Sequence, residues 1–350
     1  MMETLWYCAV TLTLAGYVVL DGFDFGLGIV YPFVARTETE KRMALAAIGP
    51  VWNGNEVWLI AAGGLLFFAF PKAYAAGFSG FYLALIIVLW LLIARGLALE
   101  LRSHVDHALW RQFWDLAFAG SSALLAVVFG AALGNLIRGV PLNQDGYFFV
   151  PLWTDLMTGP EPGILDWFTI LMGLTSAAIL AWHGANYLAM KTDGELRVRA
   201  ACVSWISGFV VAGLVVPVLA AIPFVQPSFR LSSTAHPIGF LFPFLGVVAL
   251  GSALEARRRN WDSASFCSSI LFILAMLAGT AWASYPNILI ATTDPANSLT
   301  IANATAGGYG MQIGLWWFVV GFSLVIACQL CAHRAFWGKV RLDPEFPSDS

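Results

Sequence analysis

Apolar residues along this chain fall into long runs that short polar segments separate. A helix that crosses a membrane needs about 20 mostly apolar residues, because the hydrocarbon core of a bilayer is about 30 Å thick. On that scale the pattern predicts nine transmembrane helices. The predicted spans are 5–34, 48–70, 77–97, 116–137, 167–190, 202–224, 237–254, 266–290 and 310–332. We therefore predict an all-α, polytopic membrane protein with one transmembrane helical domain over residues 1–350.

Composition agrees with this pattern, since 59% of the residues are hydrophobic and only 11% are charged. Soluble domains carry about a quarter charged residues, so the composition excludes an ordinary soluble protein. The net charge is −3 and no basic patch stands out, which gives no indication of a nucleic-acid partner. The five cysteines are odd in number and scattered through apolar segments, and they do not indicate a disulfide framework.

The distribution of Lys and Arg predicts the topology. Fifteen of the 18 basic residues fall in the odd-numbered connectors and the C-terminal tail, with Arg95 counted at the end of the third span. The even-numbered connectors hold only Lys72, Arg138 and Arg230. By the positive-inside rule the N-terminus is periplasmic and the C-terminus cytoplasmic. The longest connector, 138–166, is then outside, where it could form a small cap.

Two carboxylates interrupt the first apolar run, at Asp21 and Asp24. They are three residues apart and share one face of a helix. An ionisable residue at membrane depth needs a partner, water or a proton, and it is therefore a candidate functional site. The alternative is that both carboxylates lie near a helix end and only cap it or reach the surface.

The second span carries a comparable polar stretch. Asn53 and Glu56 share a helix face. At about 1.5 Å per residue, Glu56 lies about 21 Å and Asp24 about 18 Å from the cytoplasmic side. Glu100 ends the third span close to that surface. Carboxylates at staggered depths favour a proton-entry path, although Glu100 could instead pair with Arg102 or Arg95.

His183 lies inside the fifth span, three residues before Asn186. It is a weak candidate for a haem ligand or proton relay, and a hydrogen-bonded histidine between helices is the more common case. No histidine makes a metal-ligand spacing with another. The sequence therefore predicts no metal site.

Several motifs resemble subunit II of the cytochrome bd-type quinol oxidases, which are bacterial terminal oxidases. The two most specific are Leu-Asp-Gly-Phe-Asp-Phe-Gly at 20–26 and Gly-Pro-Val-Trp-Asn-Gly-Asn-Glu-Val-Trp-Leu at 49–59. Shorter matches include Trp-Arg-Gln-Phe-Trp-Asp at 110–115 and His-Gly-Ala-Asn-Tyr-Leu at 183–188. Together the motifs extend along nearly the whole chain.

The resemblance implies a multi-pass protein of the bacterial inner membrane that pairs with a larger subunit I. Subunit I would hold haem b, haem d and the quinol site, and the complex would oxidise quinol and reduce dioxygen to water. Subunit II would bind no haem, support the complex and supply a cytoplasmic proton path. The resemblance assigns Asp24, Glu56 and Glu100 to that path, with Asp21 and Asn53 beside them, and Trp52 and Trp58 to the subunit contact. It leaves open a structurally held quinone, bound lipid and a small single-span accessory subunit.

The chain departs from the family pattern at Asn53, where many members have Asp. Asparagine cannot carry a proton as a carboxyl group does, although it can orient water. Two other functions stay open from the residues alone: a proton-coupled secondary transporter and a purely structural membrane subunit. Transporters commonly contain repeats with paired helix breaks, and the Gly and Pro residues here do not pair across two halves.

Overall fold

The computed structural model describes residues 1–229 and 236–340, so Arg230 and Arg341 of the topology count lie outside it. Helices dominate the described residues. In chain order they are α1 (Met2–Val34), α2 (Glu38–Ile48), α3 (Trp52–Ala69), α4 (Pro71–Gly80), α5 (Tyr82–Leu101), α6 (Ala108–Arg138), α7 (Trp167–Lys191), α8 (Gly194–Val225), α9 (Leu241–Arg258), α10 (Asp262–Ser284) and α11 (Gly308–Ala335). The only strands in the described ranges are a short antiparallel pair, β1 (Asn287–Leu289) and β2 (Leu299–Thr300).

Eight helical segments are long and apolar enough to cross a membrane: α1, α5, α6, α7, α8, α9 with the short turn before it, α10 and α11. They correspond to eight of the nine predicted spans, and the predicted all-α membrane fold is confirmed. The remaining predicted span corresponds to α3, which has 18 residues and polar side chains in its first turns. At about 1.5 Å per residue it is about 27 Å long, close to the bilayer core thickness. The ninth crossing and the orientation stay predictions.

Several predicted boundaries were wrong: α6 and α8 begin eight residues before the predicted starts at 116 and 202, and three other boundaries differ for local reasons. The second span was predicted to begin at Ile48, but Ile48 ends α2, whose N-terminus is fixed by a capping box between Thr37 and Glu40. The third was predicted over 77–97, but the chain breaks at Phe81 and α5 continues to Leu101. The eighth was predicted to reach residue 290, but α10 ends at Ser284, just before a proline that cannot continue helical hydrogen bonding.

Helix α1 lies at the centre of the bundle. It packs against α3, α6, α7 and α10, and every residue from Asp21 to Gly28 is buried. Its closest neighbour is α7, because Gly26 faces Gly184 with no side chain between the two backbones. A methyl group on Gly26 would overlap the carbonyl oxygen of Leu180. Small residues at such crossings allow close helix contact in membranes.

Segment 139–166 lies over one end of the bundle without forming a long helix. The Val140 amide donates to the carbonyl of Ile290, and Phe148 packs beneath Gly80. Buried Arg138 pairs with Asp166, which also caps the N-terminus of α7. These contacts attach the segment to α4, α7 and the strand pair. Its assignment as a periplasmic cap stays a prediction.

We expect Gly26→Ala to destabilise the protein by about 1–3 kcal/mol, because the added methyl group must push α1 away from α7. Gly120→Ala in α6 is the matched control, since no atom lies near the added methyl group. The thermal midpoint of the detergent-solubilised protein, followed by loss of the monodisperse chromatographic peak, measures both. Equal midpoints for the two variants would contradict the close-packed crossing.

Candidate functional site

The two carboxylates predicted within α1 lie beside Arg95, a cation that the topology count had assigned to a connector. Asp21 and Asp24 are fully buried, and Asp21 Oδ1 accepts a hydrogen bond of 2.6 Å from Arg95 Nη2. Arg95, at the end of the predicted third span, was counted with the basic residues of the connector that follows, and that assignment was wrong. Because α5 continues to Leu101, Arg95 lies inside the helix and faces α1, with its guanidinium carbon 4.4 Å from the centre of the Phe25 ring. The interpretation of Asp21 as a residue near a helix end is likewise wrong.

Asp24 begins a chain of side chains that links three helices. Its Oδ2 accepts from Asn55 Nδ2 on α3 at 2.9 Å, and Asn55 Oδ1 accepts from Gln329 Nε2 on α11 at 2.8 Å. The Asn55 amide thus presents its NH₂ group to Asp24 and its oxygen to Gln329. Asp24, unlike Asp21, is bonded to a neutral side chain.

Charge in this buried cluster is unbalanced. The two buried carboxyl groups, Asp21 and Asp24, lie near one cation, Arg95, which pairs with Asp21. The second oxygen of each carboxyl group, Nε and Nη1 of Arg95 and the hydroxyl of Tyr17 find no hydrogen-bond partner in the described part of the chain. Leaving a charge unpaired in an apolar interior is costly. The cluster is therefore electrically neutral only when one of the two carboxyl groups holds a proton.

The other predicted path residues lie at different distances from this cluster. Glu56 is half-buried on α3 and feels the charges of Arg95 and Asp21. Asn53 and Glu100 are exposed, at the first turn of α3 and the last turn of α5. The structure therefore places Glu56 within electrostatic reach of Asp21 and Arg95 and leaves Asn53 and Glu100 at the surface.

Neither cation suggested as a partner for Glu100 contacts it. The ion pairs of Arg95 and Arg102 within the described ranges go to Asp21 and to Glu38 and Asp115. The exposed Glu100 carboxylate forms an ion pair with neither Arg95 nor Arg102.

The two tryptophans that the resemblance places at the subunit contact are buried within this chain. Trp52 is 8% exposed and its ring lies against Gly96 of α5. Trp58 is 5% exposed, covers Gly16 of α1 and stands edge-on to Phe322 with ring centres 5.8 Å apart. Both therefore hold α3 against its neighbours. Their role at the subunit contact stays a prediction.

A second polar cluster, which sequence reasoning missed, lies where α1 and α5 end and α2 and α6 begin. Asp115 Oδ1 accepts from the Tyr31 hydroxyl at 2.6 Å and from Arg102 Nε at 2.6 Å, and Lys41 Nζ lies 2.8 Å from the other oxygen. Arg102 also donates to Glu38 at 2.8 Å, and this hydrogen bond holds the pKa of Glu38 below its usual value. The motif at 110–115 contained Asp115, but its partners come from three other elements.

His183 is buried between three helices, and both of its ring nitrogens are hydrogen-bonded. Nε2 donates to the carbonyl of Val19 on α1 at 3.0 Å, and Nδ1 lies 2.7 Å from Ser269 Oγ on α10. The ring stacks on Phe266 with centres 4.9 Å apart. Across residues 1–229 and 236–340, no group of three or more His, Cys, Asp and Glu side chains could hold a metal ion. The contacts of His183 are those of a histidine that joins helices.

Comparison with known proteins agrees with the motifs. A family model described as cytochrome bd terminal oxidase subunit II matches residues 2–336. The chain belongs to this family. A probable cytochrome oxidase subunit 2 of Haemophilus influenzae is 33% identical to it, over 99% of this chain and 96% of that protein. Subunit 2 of the cytochrome bd-I ubiquinol oxidase of Escherichia coli K12 is 32% identical, over 97% and 95% of the two chains.

A solved structure shares the fold. The bd oxidase from Geobacillus thermodenitrificans superposes with a TM-score of 0.65 at 21% identity, over 96% of this chain and 98% of that chain. The predicted family is thus confirmed, and with it a place in a bd-type terminal oxidase of the bacterial inner membrane. Membership implies a partner subunit I and haems within the complex.

Removing the cation of the buried cluster should be severely destabilising. We expect Arg95→Gln to cost about 3–5 kcal/mol, because it leaves two carboxyl groups without a counter-charge. The double variant Asp21→Asn/Arg95→Gln should recover part of this loss, since only Asp24 then remains and can hold a proton. Thermal unfolding of the unmodified protein, the two single variants Asp21→Asn and Arg95→Gln, and the double variant measures the coupling.

Arg259→Gln serves as the control, because Arg259 pairs with Glu255 on the exposed surface. Such pairs contribute at most about 1 kcal/mol. An Arg95→Gln protein as stable as Arg259→Gln would show that the buried pair does not organise the fold.

Proposed function

We propose that this chain is the haem-free subunit of the oxidase and carries protons from the cytoplasmic side toward the oxygen-reducing site of subunit I. The observation that carries this proposal is the buried cluster of two carboxyl groups and one guanidinium. Its neutrality requires one proton, and a site that holds one proton among two carboxyl groups can pass it on. Reduction of dioxygen to water consumes protons, and a site inside the membrane needs a route for them.

The order of the residues supports a direction for the path. Exposed Glu100 and Asn53 lie at the end of the bundle that the basic residues predict to be cytoplasmic. Half-buried Glu56 follows on α3, and buried Asp24 follows on α1. From Asp24 the hydrogen bonds lead through Asn55 to Gln329 on α11, whose outer face is exposed apolar surface in this chain. On this path Glu56 and Asp24 hold the proton, and the amides orient water.

We propose the absence of haem from this subunit on the basis of the side chains that could ligate haem iron. Haem iron takes a histidine nitrogen, a thiolate or a similar axial ligand, and both nitrogens of His183 are engaged inside the bundle. Nδ1 of His104 and of His333 bonds to a backbone carbonyl at a helix end. Among the described residues His183 is the only buried histidine, and the engagement of both its ring nitrogens supports a haem-free subunit. When bound in subunit I, the haems pass the electrons of quinol to dioxygen.

If the subunit had only a structural role, replacing a carboxyl group of the path by its amide would leave oxygen uptake unchanged. The proton path predicts the opposite. We expect Asp24→Asn to slow quinol-driven oxygen uptake by at least about tenfold, because the variant keeps an acceptor for Asn55 but cannot hold a proton. Glu56→Gln should slow it in the same direction. Haem content, read from the reduced-minus-oxidised spectrum, should stay unchanged in both.

Asp106→Asn is the control, because Asp106 is an exposed surface carboxylate that pairs with Arg111 and has no contact with the buried cluster of Asp21, Asp24 and Arg95. Its oxygen uptake should equal that of the unmodified complex. Normal turnover in both Asp24→Asn and Glu56→Gln would refute the proton path and leave the subunit a structural role.

We also propose that this subunit holds a quinone structurally. A cavity of about 410 Å³ lies between α6, α7, α8, α9 and α10, and its lining is almost wholly apolar, including Met172, Ile179 and Phe272. Pockets of about 300–1,000 Å³ with apolar walls are typical of small-ligand sites. Bound lipid and a small accessory subunit stay expectations from the family.

Filling this cavity should expel the quinone. We expect Ile179→Trp to lower the quinone extracted from the washed complex relative to Leu174→Trp, which changes an exposed residue of the same helix. Solvent extraction and chromatography measure the quinone, and the haem spectrum reports correct assembly. Equal quinone content in two assembled variants would refute the site.

A further inference from the structure

A basic groove opens between α8 and the turn that joins α9 to α10. It has a volume of about 330 Å³, and its charged walls are Arg197, Arg257 and Arg258. Cys202 and Trp205 of α8 form its apolar side. None of the lining residues is acidic. From this groove we propose that the subunit binds the phosphate of an anionic membrane phospholipid.

Positive charge in the groove exceeds the negative charge beside it. Arg197 Nε and Arg257 Nη1 share one carboxylate, that of Asp262, at 2.7 and 2.5 Å. Arg258 is 75% exposed at its side chain, and its contact with Glu255 is long, at 3.8 Å. The guanidinium of Arg258 is therefore free to turn toward an anion. Planar guanidinium groups bind phosphate oxygens in a paired geometry.

The deepest arginine is held in place by a buried hydrogen-bond centre. Asn186 Oδ1 accepts from Arg257 Nη2 at 2.8 Å and from the hydroxyls of Ser204 and Ser265 at 2.7 Å each. Arg257 is 5% exposed, and its Nε has no hydrogen-bond partner among residues the structure describes. The floor of the groove is thus built before any ligand arrives, and the cost of ordering it on binding is small.

The apolar side distinguishes a lipid from a free anion. Along α8, Val198, Trp205 and Phe209 are exposed on the surface that continues from the groove, and the two aromatic rings lie 5.0 Å apart. Trp205 follows Arg197 by eight residues, about 12 Å along the helix. Tryptophan is enriched at the level of lipid headgroups, and basic pockets between transmembrane helices bind anionic headgroups. The guanidinium groups and this aromatic strip match the phosphate and an acyl chain of one lipid.

Native mass spectrometry of the delipidated oxidase complex tests the site with dioleoyl phosphatidylglycerol and its phosphatidylcholine counterpart. We expect preferential binding of phosphatidylglycerol, and about fivefold weaker binding in Arg258→Gln, the factor for about 1 kcal/mol per basic residue near an anionic surface. Arg259→Gln is the matched control, with the same charge change at a residue outside the groove. It should bind as the unmodified complex does.

Maleimide labelling places the lipid. Phosphatidylglycerol should slow the labelling of Cys202, which lines the groove. Cys267 of α10 lies outside the groove and should be labelled at the same rate with and without the lipid. Equal binding of the two lipids, or equal losses in Arg258→Gln and Arg259→Gln, would overturn the proposal. Displacement of the lipid by an equal concentration of inorganic phosphate would also overturn it, because the groove would then be a free-anion site.

Discussion

The burial of two carboxyl groups against one guanidinium is the constraint on which the centre of this bundle depends. An unpaired charge in an apolar interior costs several kcal/mol, so Asp21 requires Arg95 at its side. That requirement fixes how far α5 must extend and which face it presents to α1. The hydrogen bonds of Asp24 place α3 and α11 in the same way, through Asn55 and Gln329. Four described helices, α3, α5, α11 and, at the glycine crossing, α7, are thus positioned around one segment of α1.

Much of this arrangement could be predicted from residues that stand out against their surroundings. Asp21 and Asp24 interrupt a long apolar run, and nothing but burial or function explains carboxylates there. Hydropathy also located the helices, because a bilayer demands runs of a fixed length. The ends of the helices were harder to predict from the sequence. The breaks at Phe81 and after Ser284 depend on local packing and on a proline within an apolar run, which a window of 20 residues averages away.

The partner of Asp21 could not be predicted from the same signals. A basic residue near the end of an apolar run usually marks the cytoplasmic boundary, and Arg95 satisfies that pattern while lying inside the bundle. Asn55 was missed for a rotational reason. The spacing of Asn53 and Glu56 indicated one polar face. In the structure α3 begins at Trp52, and its rotation directs Asn55 toward Asp24. Asp115 needed partners from α1, α2 and α5, which no local motif contains.

The rotation of α3 also changes the meaning of the departure at Asn53. In the sequence, asparagine in place of a family aspartate left open whether Glu56 takes over the proton transfer or the path is altered or lost. Asn53 is exposed at the first turn of α3, whereas the contact with the buried carboxyl group is made by Asn55. A group at the surface can be replaced by water as a proton donor, but a buried group cannot. On the proposed path, the substitution therefore alters the entrance. The inner part of the path keeps its two carboxyl groups, those of Glu56 and Asp24.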